Sequence, residues 1–135
     1  LYIDQECSVI DPRLTVFEQT ERFNTGNWAE HELKSILNRY LFPYDTWDKG
    51  CACLSGGEKI RLLFCCLMIG NNAPDVFILD EPTNNLDIQS VEIITAAIKS
   101  YRGTVLLISH DHYFVKEIKI NRSIKLFDTG SVIKI

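Results

Sequence analysis

Two short apolar segments of the chain end in side chains that could perform acid–base or metal chemistry. Asp80 and Glu81 close the apolar stretch of "VFILDEP", and His110 follows "TVLLIS". Because ligands gather beyond the carboxyl ends of parallel strands, we expect these three side chains to share one edge of a sheet. Side chains of adjacent strand residues point in opposite directions, so the two acids are expected to take different roles.

The three groups together suit the hydrolysis of a phosphate ester or anhydride. Asp80 suits a hard cation such as Mg²⁺, which takes few protein carboxylates. Glu81 could orient or deprotonate an attacking water, and His110 could bind a terminal phosphate. Taken singly, the acids could be turn residues beside Pro82 and the histidine a strand-end cap. Their joint placement favours the catalytic interpretation.

A second candidate site stands where a buried helix begins, in "LSGGEKIRL". Ser55 and Glu58 have the spacing of a capping box, with serine as the N-cap. Gly56 and Gly57 each cost about 1 kcal/mol relative to alanine in a helix. Because absent side chains let an anion reach the N–H groups at the positive end of the helix, the turn is predicted to seat a phosphate.

The spacing of apolar and turn residues predicts the elements that position these groups. In chain order they are a strand end at residues 1–3, helical sequence over 11–42 that stops at Pro43, a buried helix from Ser55 to about Ile69 stopped by Gly70 to Asn72, a strand at 76–80, a helix capped by Asp87 and ended by Gly103, a strand at 104–109, and two strands joined by a turn at residues 128–130. Both strands of the central pair are predicted to be buried on both faces.

These elements predict an α/β fold with a parallel βαβ core and a C-terminal β-hairpin. The whole chain, residues 1–135, is interpreted as one partial domain. Its helical subdomain is expected at about residues 7–72, and its α/β part at about residues 73–135.

Composition favours a soluble, cytoplasmic protein without direct membrane insertion. The 14 basic and 18 acidic residues give a net charge of −4, without the basic stripe of a nucleic-acid binder. The longest apolar run, Leu62 to Ile69, is far shorter than the roughly 20 residues that a membrane span requires. The 5 cysteines are an odd number and are expected to be reduced.

One part of a nucleotide triphosphatase is missing from the sequence. The phosphate loop G-x-x-x-x-G-K-[ST] does not occur, because no Gly-Lys pair is present. The chain also opens at Leu1 without a methionine, so we expect it to begin partway through a domain. The isolated 135 residues are therefore expected to be inactive.

The motifs "LSGGEK", "VFILDEPTNNLD" and "LLISHDHYF", in that order, resemble the signature, Walker B with D-loop, and switch-histidine segments of the ATP-binding cassette (ABC) superfamily. "YIDQE" is similar to its Q-loop. The resemblance covers nearly the whole chain and implies the C-terminal part of a P-loop NTPase-like ABC cassette, with Walker A upstream of Leu1.

The resemblance implies that the cofactors are ATP and Mg²⁺. Asp80 and Gln5 would serve the Mg²⁺ site. Glu81 would be the catalytic base, and His110 would sense the γ-phosphate.

The resemblance also implies a partner, since each site in this superfamily is shared by two nucleotide-binding domains. Ser55, Gly56 and Gly57, with Glu58 beside them, would clasp the γ-phosphate of ATP held by the other domain of a head-to-tail pair. Asp87 would be the D-loop acid that crosses to that domain.

Within the superfamily, the chain is most similar to the F subfamily (ABC-F). The similarity lies in Glu58 with Lys59 and Arg61, in "EPTN", and in "SHD" followed by Tyr113 and Phe114. Members have two cassettes on one chain and no transmembrane domain, and many act on the ribosome as translation or antibiotic-resistance factors. Ribosome contact would use parts that this chain does not contain.

Two positions depart from the F-subfamily pattern, and two other functions stay open. Asn85 stands where a histidine is often found, and His112 stands where arginine is common and is predicted to be a solvated helix residue. One alternative is the ATPase subunit of an ABC membrane transporter. The other is a non-catalytic module that only pairs with another cassette.

Overall fold

A parallel sheet carries the polar strand ends predicted from the sequence. The structure, a computed structural model, describes residues 1–3, 7–70, 74–84, 86–126 and 132–134. Within these residues the sheet has the order β1 (Tyr2–Ile3), β2 (Val76–Asp80) and β3 (Thr104–Ile108), with β2 in the centre. Asp80 pairs with Ile108 at the carboxyl end, so the residues that follow both strands emerge at one edge.

Helices and a short antiparallel pair complete the described architecture. The helices are α1 (Val16–Phe23), α2 (Glu30–Arg39), α3 (Gly56–Ile69), α4 (Ile88–Ser100) and α5 (His112–Ile118), with 3₁₀ turns at Tyr44–Thr46 and Cys51–Cys53. The antiparallel pair joins β4 (Ile124–Leu126) to β5 (Val132–Lys134). The predicted α/β class and hairpin pairing are confirmed, while the turn at residues 128–130 lies outside the described residues. The division near residue 72 stays a prediction.

Helix α3 is the centre of the core, as its unbroken apolar run predicts. Leu62, Leu63 and Ile69 are fully buried, together with Cys65 and Cys66. Burial raises the pKa of both thiols, since the thiolate would lose its hydration. The cysteines of the described residues form no disulfide with one another, and their reduced state stays a prediction.

The helical sequence predicted over residues 11–42 forms two helices rather than one. The side-chain amide of Asn24 donates to the carbonyl of Trp28, and its oxygen accepts from the Trp28 N–H, both at 2.9 Å. Asn27 has a φ of 55°, which a continuing helix cannot contain. The second helix ends before Pro43, since Leu41 already has a φ of 60°.

The prediction that both central strands are buried on both faces is wrong. Phe77 is buried and packs against Phe64 of α3, with ring centroids 6.3 Å apart. On the other face, Val76 is 43% exposed, and Leu106 and Ile108 are 49% and 50% exposed. Side chains alternate between the faces of a strand, so the helices cover one face of this sheet within the described residues.

The connection between the central strands confirms most of the predicted βαβ unit. Strands β2 and β3 are parallel neighbours joined by α4, and Asp87 is its N-cap. The predicted terminator Gly103 is not the end of this helix, because α4 ends at Ser100 and the Tyr101 N–H closes its last turn. None of the described helices is long and apolar enough to cross a membrane.

Replacing Leu63 tests the role of α3 in the core. Leu63→Ala should lower the free energy of unfolding by about 2–5 kcal/mol, because the site is fully buried and packed on all sides. Met68→Ala on the same helix is the matched control, since Met68 is 54% exposed. Urea denaturation measures both, and equal losses in the two variants would contradict the placement of α3.

Candidate functional site

The edge of the sheet brings Glu81 and His110 together, as the sequence predicts. The Nδ1 atom of His110 lies 2.7 Å from Oε1 of Glu81. The backbone N–H of Glu81 donates to the carbonyl of Ile108 at 2.8 Å, which extends the pairing of β2 and β3 by one residue. Glu81 has a φ of 46°, a backbone conformation that costs a non-glycine residue about 1–3 kcal/mol and often marks functional sites.

The carboxylate of Glu81 has one oxygen held and one without a partner. Oε1 contacts His110, whereas Oε2 is buried and has no hydrogen-bond partner within the described residues. A buried carboxylate oxygen without a donor is costly. Oε2 keeps the acceptor capacity that a general base requires, but the surrounding chain encloses it, so a water can reach it only after these groups move.

Asp80 points to different partners from its neighbour, as expected for adjacent residues. The hydroxyl of Tyr2 donates to Oδ2 of Asp80 at 3.2 Å, a contact that the sequence patterns did not reveal. Asp80 is half-buried, and its carboxylate fits Mg²⁺, which prefers oxygen ligands. The second predicted ligand, Gln5, lies outside the described residues, and those that are described contain no cluster of three or more potential metal ligands.

The pKa of His110 is raised above its ordinary value of 6.5. The main cause is its hydrogen bond to Glu81, whose negative charge adds to the effect, and Asp111 contributes a smaller share. Both acids favour the imidazolium form. The His110 ring is 78% exposed, so its outer face is open to a ligand.

The turn before α3 forms the capping box predicted from its sequence. Oγ of Ser55 accepts from the Glu58 N–H at 3.2 Å, and Oε2 of Glu58 accepts from the Ser55 N–H at 2.8 Å. Lys49, which sequence reasoning missed, donates to Oε1 of Glu58 at 2.9 Å. Burial acts to raise the pKa of Glu58, but the hydrogen bonds from Lys49 and Ser55 outweigh it and lower the pKa.

The two glycines of this turn have different surroundings. A Cβ added to Gly56 would meet nothing within 4 Å, and both Ser55 and Gly56 are exposed. A Cβ added to Gly57 would lie 2.7 Å from Cδ2 of Leu86. No contact within the described residues requires a glycine at position 56, and the anion seat there stays a prediction, whereas the Leu86 side chain occupies the space beside Gly57.

Asp87 is exposed and fixes the beginning of α4. Its Oδ1 accepts from the Ser90 N–H and its Oδ2 from the Ser90 hydroxyl, both at 2.8 Å. These bonds lower the pKa of Asp87, and Arg61 lowers it further through its charge. The predicted cap is confirmed, and contact with a partner domain stays a prediction. Asn85 lies outside the described residues, while His112 is exposed at the start of α5, as predicted.

The pairing of His110 with Glu81 predicts a dependence on pH. Because the folded pKa of His110 is raised, the stabilisation from this pair is fully present below pH 6.5 and is lost as the pH rises through the folded pKa. An NMR titration of the imidazole should give a midpoint above 6.5, and Glu81→Gln should move it down towards 6.5. His110→Gln identifies the resonance. A midpoint unaffected by Glu81→Gln would contradict the pairing.

The sequence of the chain is similar to a known protein family and to several known proteins. The profile of the family described as "ABC transporter" matches residues 1–84. The chain is 42% identical to ABC transporter F family member 5 of Arabidopsis thaliana over 94% of this chain and 18% of that protein. It is 43% identical to the probable ATP-binding protein YbiT of Escherichia coli O157:H7 over 78% of this chain and 19% of that protein. The chain thus spans less than a fifth of these relatives.

Solved structures show the same fold. A dimeric ATP-binding cassette, MJ0796, in a post-hydrolysis state bound to ADP and Pi superposes with a TM-score of 0.70 at 21% identity, over 98% of this chain and 61% of that chain. The archaeal ribosome recycling factor aABCE1 gives a TM-score of 0.69 at 22% identity, over 97% of this chain and 26% of that chain. The chain belongs to the ABC transporter family of ATP-binding domains, in which it resembles the F subfamily.

Proposed function

We propose that this chain is the C-terminal portion of an ATP-hydrolysing ABC-F cassette in which Glu81 is the catalytic base. The observation that carries the proposal is the state of its carboxylate, with Oε1 held by His110 and Oε2 buried without a partner among the described residues. The hydrogen bond fixes the side chain, and the second oxygen lacks a donor that a water would supply once the groups enclosing it move. Family membership supports ATP as the nucleotide.

Asp80 and His110 complete the chemistry on this edge of the sheet. Asp80, with Gln5, would hold Mg²⁺, which neutralises charge on the phosphates when it is bound. His110 holds Glu81 through Nδ1, and its exposed ring face can reach the terminal phosphate. A protonated His110 would add a positive charge next to that phosphate, and its raised pKa favours this form.

A second nucleotide-binding domain is the proposed partner. Ser55 and Gly56 are exposed at the N-terminus of α3, where backbone N–H groups can bind a phosphate presented from outside the chain. Dimeric cassettes are among the structural neighbours, which supports a paired arrangement. Both oxygens of Glu58 are used within the capping box and by Lys49, so Glu58 would shape this seat rather than touch ATP.

The wider role follows from the F-subfamily likeness alone. Relatives of the chain include F family members 2 and 5 of Arabidopsis thaliana, and a ribosome recycling factor shares the fold. We therefore include a cytoplasmic, ribosome-associated role of the full-length protein in the proposal. The isolated 135 residues would not hydrolyse ATP, because they contain no phosphate loop.

Glu81→Gln tests the catalytic base. In the full-length protein this variant should lower kcat by about 10²-fold or more, because the amide cannot accept a proton while its shape is kept. ATP should then be retained in the closed pair, which native mass spectrometry detects as bound nucleotide. Glu92→Gln, at an exposed site on α4, is the control and should hydrolyse ATP normally. Normal turnover in Glu81→Gln would remove Glu81 from the mechanism.

Gly56→Asp tests the phosphate seat. The variant should abolish ATP hydrolysis, because a carboxylate would occupy the space left open for an anion and repel it. Its melting temperature should be unchanged, since an acid in the first turn of a helix is favourable and nothing lies within 4 Å. Gly50→Asp adds the same charge at another glycine with open space and should retain activity. Full activity in Gly56→Asp contradicts the seat.

A further inference from the structure

The contact between Leu86 and Gly57 joins two parts of the chain that the proposed mechanism treats separately. Leu86 follows the strand that carries Glu81, whereas Gly57 belongs to the turn that seats the phosphate. Cδ2 of Leu86 occupies the space that a side chain at position 57 would need, at 2.7 Å from the ideal Cβ position. Leu86 is half-buried and packs against the hydrophobic core.

The chain between the catalytic edge and this contact is held at several points. The Asn84 N–H donates to the carbonyl of Glu81 at 3.1 Å, and the Leu86 N–H donates to the carbonyl of Thr83 at 3.2 Å. Pro82 is fully buried. Two hydrogen-bonded turns and a buried proline hold the described residues of this connector, 81–84 and 86.

The far end of this connector is fixed as well. Asp87 accepts from both the backbone and the hydroxyl of Ser90, so the residue after Leu86 is held to the first turn of α4. Ser90 is buried and lies 4.0 Å from the position of a Cβ on Gly57. Three elements therefore meet at Gly57: the turn before α3, the connector and the start of α4.

We propose that Leu86 is a positioning residue that sets the phosphate-seating turn at a fixed distance from the strand end bearing Glu81. This inference rests on the proposed function for its effect on hydrolysis. Its structural part, the locking of Gly57 and the connector together, does not depend on that function. On this proposal the glycine at position 57 makes room for Leu86, and the glycine at position 56 leaves room for the ligand.

A methyl group at position 57 should displace Leu86 and the connector without unfolding the protein. The atom in its way is the end of a flexible leucine side chain, so this side chain can move aside without unfolding the turn. When Leu86 leaves its place, the hydrogen bonds of the connector lose the packing that supports them. A displacement of about 1 Å at reacting groups can reduce a rate by up to about 10²-fold.

The experiment is a double-mutant cycle in the full-length protein. Its variants are Gly57→Ala, Leu86→Val and the two combined. Leu86→Val removes the δ-methyl groups but keeps an apolar side chain. The matched control cycle replaces Gly57→Ala by Gly56→Ala, which adds the same methyl one residue earlier in open space.

We expect Gly57→Ala to lower kcat for ATP by about tenfold with a smaller change in KM, since the nucleotide's own binding groups are not touched. Leu86→Val should restore most of this loss in the combined variant. It should leave the effect of Gly56→Ala unchanged. Full activity of Gly57→Ala, or equal responses of the two glycine variants to Leu86→Val, would overturn the proposal.

Hydrogen exchange separates this inference from the proposed function. The amides of Leu86 and Ser90 should exchange faster in Gly57→Ala, because their acceptors are Thr83 and Asp87 within the displaced segment. Leu86→Val should reverse the change at Ser90. If the wild-type protein hydrolyses no ATP, the proposed function fails, and the exchange rates still decide whether the contact positions the connector. Unchanged exchange at both amides contradicts it.

Discussion

The parallel pairing of β2 with β3 is the constraint on which the candidate site depends. Asp80 is opposite Ile108 in the register, and the Glu81 N–H continues the pairing to the Ile108 carbonyl. This bond turns Glu81 out of the strand with a positive φ and brings its carboxylate to His110. A shift of one residue in this register would separate the acid from the imidazole.

The second half of the site depends on packing at the start of α3 rather than on the sheet. The capping box and Lys49 engage the carboxylate of Glu58, which leaves Ser55 and Gly56 exposed at the positive end of the helix. Leu86 then closes the other side of the turn against Gly57. One local arrangement thus presents free N–H groups outward and joins the turn to the chain that leaves the catalytic edge.

Local patterns predicted much of this arrangement, because each depends on neighbouring residues. The capping box at Ser55, the cap at Asp87 and the strand that ends at Asp80 all follow from spacing within a few positions. The approach of Glu81 to His110 follows from the rule that parallel strands end at one edge.

The features that sequence reasoning missed depend on residues that are distant along the chain. Three such contacts leave no periodic signal in the sequence, since each forms only in the tertiary fold. They join Leu86 to Gly57, Lys49 to Glu58, and Tyr2 to Asp80. The burial of β2 and β3 was overestimated for a related reason. An apolar strand shows that both faces can be covered, but only the fold shows which face the helices cover.

The most direct test of the central claim is a structure of the full-length protein with Mg²⁺ and a non-hydrolysable ATP analogue. We expect a water at about 2.6–3.2 Å from Oε2 of Glu81, in line with the γ-phosphate. We also expect the Gly56 amide and the Ser55 hydroxyl to contact the phosphates of a nucleotide held by the paired domain. A Glu81 carboxylate turned away from the nucleotide, with both oxygens bonded to protein groups, would contradict its role as the base.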